Sequence, residues 1–299
     1  MIQLHLMGGL GNQMSQVAFG YFLAKRDGHR LQVEATSYKT YKRRPCSIQK
    51  MQLDEIITVE RELHGLSFKC TRLIQECYHV INRILAPRKE LPTFIKKAFM
   101  KFGHVYSCDS NYIDIPCQKG NVDIYGYYLI EPYFHDIYDD ICRIFKVKEE
   151  FLSAETIAMA KTIENSTNPI AISLRLQKDY TEDPVMCVCT TNYFLNGIKI
   201  LREKFPESTF FIFADDINEA KKIDLGIDGT YVEGVSDVEG MHLMQRCNHF
   251  VISNSSFSWW GAYLSRNKDK IVIAPDRWIN NKKDYSAMYY PNVIKIGPK

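Results

Sequence analysis

From residue 170 onward, short apolar runs alternate with helix-length stretches. Ile170–Leu174, Thr209–Phe213, Thr230–Glu233, His249–Ile252 and Lys270–Ala274 read as strands, with helices over Asn192–Lys204, Ile217–Ile223, Ser236–Arg246 and Phe257–Leu264 between them. Strand and helix in strict turn predict a parallel sheet covered on both faces. The first half is less regular. Ile2–Leu6 is a short apolar strand that enters the turn Met7–Gln13, after which Val17, Phe19, Phe22 and Leu23 mark the apolar face of a helix over Met14–Lys25. Leu31–Glu34 reads as a second strand and Ser37–Met51 as a basic surface loop. Glu60–His104 is helical with breaks at Pro87 and Pro92, and Val122–Tyr128 is a strand followed by helices over Glu131–Phe145 and Glu149–Ile163.

At 299 residues the chain exceeds a usual single core. The polar break Asn165–Asn168 and the change to regular alternation predict two domains, 1–160 and 161–299, with the mixed tail Pro275–Lys299 able to pack back on the first. A net charge of +3 on 38 basic and 35 acidic residues is too small to make nucleic acid the main partner. No basic region precedes an apolar core at Met1–Leu6 and no run approaches a membrane span, so a cytoplasmic protein is expected. Nine cysteines, an odd number, fit reduced thiols, and Cys187-Val188-Cys189 lacks the spacing of a metal site. Asn82–His104 carries Arg83, Arg88, Lys89, Lys96, Lys97 and Lys101 against Glu90 alone, interleaved with Leu91, Phe94, Ile95, Phe99 and Phe102. That composition suits a helix on an anionic membrane surface, or a solvated helix packed by its aromatic side.

The glycine-rich turn brings backbone N–H groups to the start of a helix, an anion-binding arrangement. A dinucleotide fingerprint fails because Met14 stands at its third glycine, and no Gly-Lys-Ser/Thr follows for a P-loop. Three predicted strand ends carry polar groups that no core requires. Arg175 follows Ile170–Leu174, where a guanidinium can grip a phosphate through paired hydrogen bonds, or else pair with Asp179. Asp215 and Asp216 follow the strand Thr209–Phe213 and Ala214, where a carboxylate can accept from the N1–H and amine of guanine, or cap the next helix. Ser253-Asn254-Ser255-Ser256-Phe257-Ser258 opens an apolar helix, where hydroxyls and the helix dipole favour phosphate, while Trp259 and Trp260 read as packing residues.

Four blocks, GGLGNQM at Gly8–Met14, GYYLIEPYF at Gly126–Phe134, FFIFADDI at Phe210–Ile217 and SNSSFSWWGAYL at Ser253–Leu264, resemble glycosyltransferase family 11, the α-1,2-fucosyltransferases, in order and spacing. The resemblance implies a GT-B fold of two facing Rossmann-like α/β domains, GDP-fucose as donor, no cofactor or metal, and a glycan acceptor in the interdomain cleft. By that resemblance Gly9, Gly11, Asn12 and Gln13 approach the fucose and diphosphate, and Arg175 binds the β-phosphate. Asp215 or Asp216 reads guanine, and Asn254, Ser255, Ser256 and Phe257 complete the nucleotide site. The family's His-x-Arg-Arg-Gly-Asp-Tyr is here Ser173-Leu174-Arg175-Leu176-Gln177-Lys178-Asp179-Tyr180, so only Arg175 and, after a gap, Asp179 and Tyr180 remain. Asp179, Glu131 and His135 are the candidates for any general base. The expected reaction is inverting transfer of L-fucose to a hydroxyl, the 2-hydroxyl of a terminal galactose. The altered arginine motif keeps open another GDP-sugar, a non-galactose acceptor or a non-catalytic nucleotide-binding role. The family also implies surface-polysaccharide assembly, in the cytoplasm or peripherally on the inner membrane face.

Overall fold

In the computed structural model, which describes residues 1–60, 66–85, 91–107, 111–281 and 283–297, the chain forms two α/β units, each built on an all-parallel sheet. The predicted break at Pro87 and the residues Arg88, Lys89 and Glu90 lie outside the described residues. One unit comprises Met1–Phe145 with Ser286–Met288, the other Lys146–Tyr285 with Tyr289–Lys299.

The boundary thus falls at Phe145/Lys146, ahead of the expected 160/161, and the reason is a carboxylate. Glu239 closes a capping box on Ser236 at the start of helix α9 (Asp237–Met244), and also accepts from the Ser153 amide at 2.9 Å and the Thr156 hydroxyl at 3.0 Å. It therefore ties α5 (Ala154–Glu164) to the second unit. Burial would raise the Glu239 carboxyl, but the amides of Ser236 and Ser153 outweigh it and pull it to about 2.

The first unit contains β1 (Ile2–His5), α1 (Leu10–Asp27), β2 (Leu31–Glu34), β3 (Ile57–Glu60), α2 (Leu66–Leu85), α3 (Thr93–Lys101), β4 (His104–Ser107), β5 (Val122–Gly126) and α4 (Tyr138–Ile144). Its strand order is β3-β2-β1-β5-β4. The expected helix over Met14–Lys25 begins four residues earlier, inside the glycine-rich turn, and stops where Gly28 adopts φ 70°. The stretch read as a helix from Glu131 opens as two 3-10 turns and becomes α-helical only at Tyr138. Register sets Gln3 beside Gln32 and Asp123, and His5 beside Glu34. One sheet face is consequently apolar, from Ile2, Leu4, Leu31, Val33, Val122 and Ile124, while the other carries Gln3, His5, Gln32, Glu34, Asp123 and Tyr125. Helix α1 packs on the apolar face, so closely that a Cβ at Gly20 would meet Leu31 at 2.8 Å. Gln75 of α2 reaches Asp123 on the polar face.

The second unit follows the predicted alternation: β6 (Ile170–Leu174), a short α6 (Lys178–Thr181), α7 (Thr191–Lys204), β7 (Phe210–Ala214), α8 (Ile217–Ala220), β8 (Gly229–Tyr231), α9, β9 (His249–Ile252), α10 (Ser256–Tyr263), β10 (Val272–Pro275) and β11 (Val293–Ile296). The order is β11-β10-β9-β6-β7-β8. Ile170, Ile172, Leu174, Ile212, Val251 and Ile273 are buried with Tyr193, Phe194, Ile198 and Leu201 of α7 in one core. Fully burying each such side chain contributes about 1.5–3 kcal/mol.

Both sheets reverse direction beside their first strand. After β1 the chain lays β2 and β3 to one side and β5 and β4 to the other, and after β6 it lays β7 and β8 to one side and β9 to β11 to the other. In open α/β sheets the crevice outside the carboxyl ends at such a reversal is where ligands bind.

Candidate functional site

At the reversal in the second unit, β6 lies between β9 and β7, so the three polar strand ends singled out in the sequence leave adjacent positions of one sheet edge. Arg175 follows β6. Its guanidinium stands over the Tyr180 ring at 5.3 Å and meets Asp179 at 3.4 Å, a long contact for a charge-assisted hydrogen bond. Its Nε is buried and has no hydrogen-bond partner among the described residues, an exception of the kind that marks functional positions. Asp179 is exposed on α6.

The two aspartates, expected either to read guanine or to cap the next helix, each make hydrogen bonds within the unit. Leu174 pairs with Ala214 across β6 and β7, which places Asp215 beside the turn that follows Arg175. Asp215 Oδ1 accepts from the amides of Leu176 and Gln177 at 2.6 and 3.2 Å, and its carbonyl accepts from the Gln177 side chain. Asp215 therefore holds the arginine turn. Asp216 caps α8 by accepting from the Glu219 amide at 3.1 Å, the capping reading of that residue.

Of the serine cluster, Ser255 is the N-cap of α10 yet makes no side-chain cap. Ser255, Ser256 and Phe257 are half-buried at this uncapped end, where the helix dipole favours an anion. Ser258 turns inward and its hydroxyl lies 2.6 Å from Ser173 and 3.3 Å from Ser253. Ser173, which stands where the family pattern has histidine, is thus part of a buried hydroxyl cluster. Trp259 and Trp260 are buried packing residues, as expected.

Asn254, expected in the donor site, has a structural place of its own. It is 1% exposed and fully engaged: Tyr180 donates to its Oδ1 at 2.6 Å, and its amide donates to the carbonyls of Met186 and Trp278 at 2.9 and 2.7 Å. The Tyr180 hydroxyl also accepts from the amides of Val188 and Cys189, both at 3.0 Å. This hub joins the loop after β6, the end of β9 and the segment after β10. Asn254→Ala strands the Tyr180 hydroxyl and two carbonyls, and is expected to cost about 2–3 kcal/mol of stability in a denaturant titration; a loss below about 0.5 kcal/mol would contradict the hub.

At the reversal in the first unit, Gly8 turns the chain with φ 80°, and a Cβ there would lie 2.6 Å from the Asn12 amide nitrogen. Gly9 is the N-cap of α1 and has no side chain to cap with, and Gly11, Asn12 and Gln13 form the first turn. Gln13 is wholly buried, donates to the carbonyls of Gly8 and Pro45, and accepts from the amides of Ser47 and Ile48, so it braces the turn. Glu131 is buried and lies 3.0 Å from the exposed ring of His135, whose pKa that hydrogen bond raises.

Sequence reasoning missed a buried charge cluster beside this turn. His5 is 3% exposed, with its ring nitrogens 2.9 Å from Glu34 and 2.6 Å from Asp123. Burial alone would lower its pKa, but the bonds to Asp123 and Glu34 outweigh burial and raise it to about 9. Burial raises Asp123, yet the rings of His104 at 3.9 Å and His5, together with the Tyr106 hydroxyl, hold it well below the usual carboxylate range. Burial likewise opposes ionisation of Glu34, and its bonds to His5 and Thr36 win. The signal was present in the period-two alternation of Ile-Gln-Leu-His and Leu-Gln-Val-Glu, unusual for parallel strands buried on both faces. Among the described residues no group of three His, Cys, Asp or Glu side chains could hold a metal ion.

Two parallel-sheet units, each with an uncapped helix start at its sheet reversal, define a GT-B type glycosyltransferase architecture. The chain belongs to glycosyl transferase family 11, whose model matches residues 1–296. It is 29% identical over 297 residues to an alpha-1,2-colitosyltransferase of Escherichia coli, covering 93% of this chain and 92% of that protein. It is 26% identical over 293 residues to the O-antigen biosynthesis glycosyltransferase WbnK of Escherichia coli, covering 93% and 95%. Among solved structures it resembles the fucosyltransferase NodZ from Bradyrhizobium, with a TM-score of 0.52 and 14% identity over 87% of this chain and 91% of that one. A variant of Arabidopsis thaliana FUT1 in complex with GDP is similar at a TM-score of 0.52 and 12% identity, over 93% and 71%.

Proposed function

We propose that this glycosyltransferase moves L-fucose from GDP-β-L-fucose to a sugar hydroxyl, the 2-hydroxyl of a terminal galactose, with inversion at the anomeric carbon. Departure of GDP develops negative charge on the β-phosphate, and donors fixed where that charge appears lower the barrier. Arg175 supplies a permanent cation for this. The uncapped first turn of α10, with Ser255 and Ser256, supplies amides and hydroxyls, and the first turn of α1 at Gly11 and Asn12 is assigned to the fucose and diphosphate. Asp179 is the nearest carboxylate to Arg175 for any base role, and the scheme needs no metal. The observation that carries this reading is the Nε of Arg175 at the sheet reversal, buried and without a partner among the described residues. A NodZ structure was soaked with GDP-fucose, which favours the same donor class here.

A second donor, GDP-colitose, is favoured by the colitosyltransferase relative. Calorimetric titration with GDP, ADP, UDP and NAD tests the class, and selective GDP binding is expected. Product analysis with each GDP-sugar, run in excess EDTA, then separates the donors. Equal affinity for ADP or UDP would remove the guanine assignment, activity lost in EDTA would remove the metal-free scheme, and absence of GDP release from either donor would mark a binding protein.

A further inference from the structure

The four most exposed large apolar side chains among the described residues lie on two helices of the first unit: Phe102 at 79% and Phe94 at 73% on or just past α3, Ile84 at 69% and Leu73 at 67% on α2. The inner faces of both helices are already occupied. Ile74, Tyr78 and Ile81 of α2 and Ile95 and Phe99 of α3 pack around Tyr106 of β4. On the outer side of α2, Leu73, Cys77, Val80 and Ile84 recur at spacings of four, three and four, which makes one stripe along the helix. On the outer side of α3, Phe94 and Phe102 flank the exposed Lys97 and Lys101, and the helix contains three lysines and no acidic residue. Two copies of this face brought together would set lysine against lysine, a juxtaposition that opposes association. An anionic lipid surface complements it, because aromatic rings enter the headgroup region while lysines meet phosphates.

We propose that the outer faces of α2 and α3 form a peripheral docking surface for an anionic bilayer, with Phe94 and Phe102 entering the interface and Lys97 and Lys101 against the headgroups. Among the described residues no helix is long and apolar enough to cross a membrane, so this contact lies on the surface. It is independent of the donor sugar and stands or falls separately from the transfer reaction.

Co-sedimentation with phosphatidylcholine vesicles containing about one-third phosphatidylserine, beside pure phosphatidylcholine vesicles, tests it. Binding to the anionic vesicles only is expected. Two double variants, Lys97→Glu with Lys101→Glu and Phe94→Ser with Phe102→Ser, should each lower the partition coefficient about tenfold or more. Their melting temperature and donor turnover should stay unchanged, since all four side chains are exposed and outside the candidate site. Failure to sediment with anionic vesicles at low salt would overturn the proposal, as would binding indifferent to both double variants. So would a concentration-dependent dimer that Leu73→Ser with Ile84→Ser disrupts while vesicles fail to bind, an outcome that assigns the stripe to a second copy of the chain.

Discussion

Arg175→Ala is expected to lower turnover about a thousandfold while leaving the fold intact, because removing one preorganised donor to a developing anion costs roughly 3–4 kcal/mol of barrier. The side chain is only part-exposed, and among the described residues its polar contact within the unit is the 3.4 Å approach to Asp179, so its loss strands little in the folded state. Arg175→Lys is expected to recover only a small part of the activity. An ammonium keeps the charge but cannot present the planar pair of donors that a guanidinium offers a phosphate. Steady-state kinetics with the natural donor separate the roles: a charge acting on the departing nucleotide shows chiefly in kcat, whereas uniform donor binding shows chiefly in KM. An alanine variant that keeps more than about a tenth of wild-type kcat would remove Arg175 from the reaction, since that loss falls far short of one donor's share.

The second large effect is on stability. His5→Gln leaves Glu34 and Asp123 buried without their cation, and breaking a buried pair from one side typically costs about 3–5 kcal/mol. For a protein of this size that is a fall in melting temperature of roughly 10 °C at neutral pH. Adding Asp123→Asn removes one of the stranded charges, so the double variant should be more stable than His5→Gln alone, a coupling that unrelated sites would not show. The pH dependence has a definite sign. His5 has a raised folded pKa, so its contribution is fully present below about 6.5 and is lost as pH climbs through about 9. Asp123 and Glu34 have lowered folded pKa values, so their contributions are present above about 4 and are lost as acid takes pH down through those values. The cluster therefore stabilises most between about pH 5 and 6.5, and wild-type stability should decline toward pH 9 more steeply than that of His5→Gln. Identical slopes for the two proteins would show that His5 is not charged in the fold.

Much of the second unit was legible along the chain. Its strands are apolar runs such as Phe-Phe-Ile-Phe-Ala, each of its longer helices opens at a polar residue, and β6, β7 and β9 were placed to within a residue or two. The family blocks at Gly8–Met14 and Ser253–Leu264 likewise survive as a turn entering a helix in the respective units. Three of the four edge strands were not read from the sequence, while the fourth, β8, was. β3, β4 and β11 are four residues each, and four residues without a continuous apolar run resemble the loops or helix ends around them.

Local pattern alone determined the α/β class, the two-part organisation and the position of Arg175 after a buried strand, because hydrophobic periodicity and chain order are properties of neighbours in sequence. Tertiary structure decided which polar groups remain available for chemistry. Asn254, Gln13 and Asp215 have the residue types of ligands, yet each is engaged by amides or carbonyls dozens of residues away, while Arg175 Nε is buried without a partner among the described residues. His5, Glu34 and Asp123 became one charged cluster only when β1, β2 and β5 were set side by side. A hydrogen bond is satisfied by whatever the fold brings within about 3 Å, and separation along the chain carries no record of that distance.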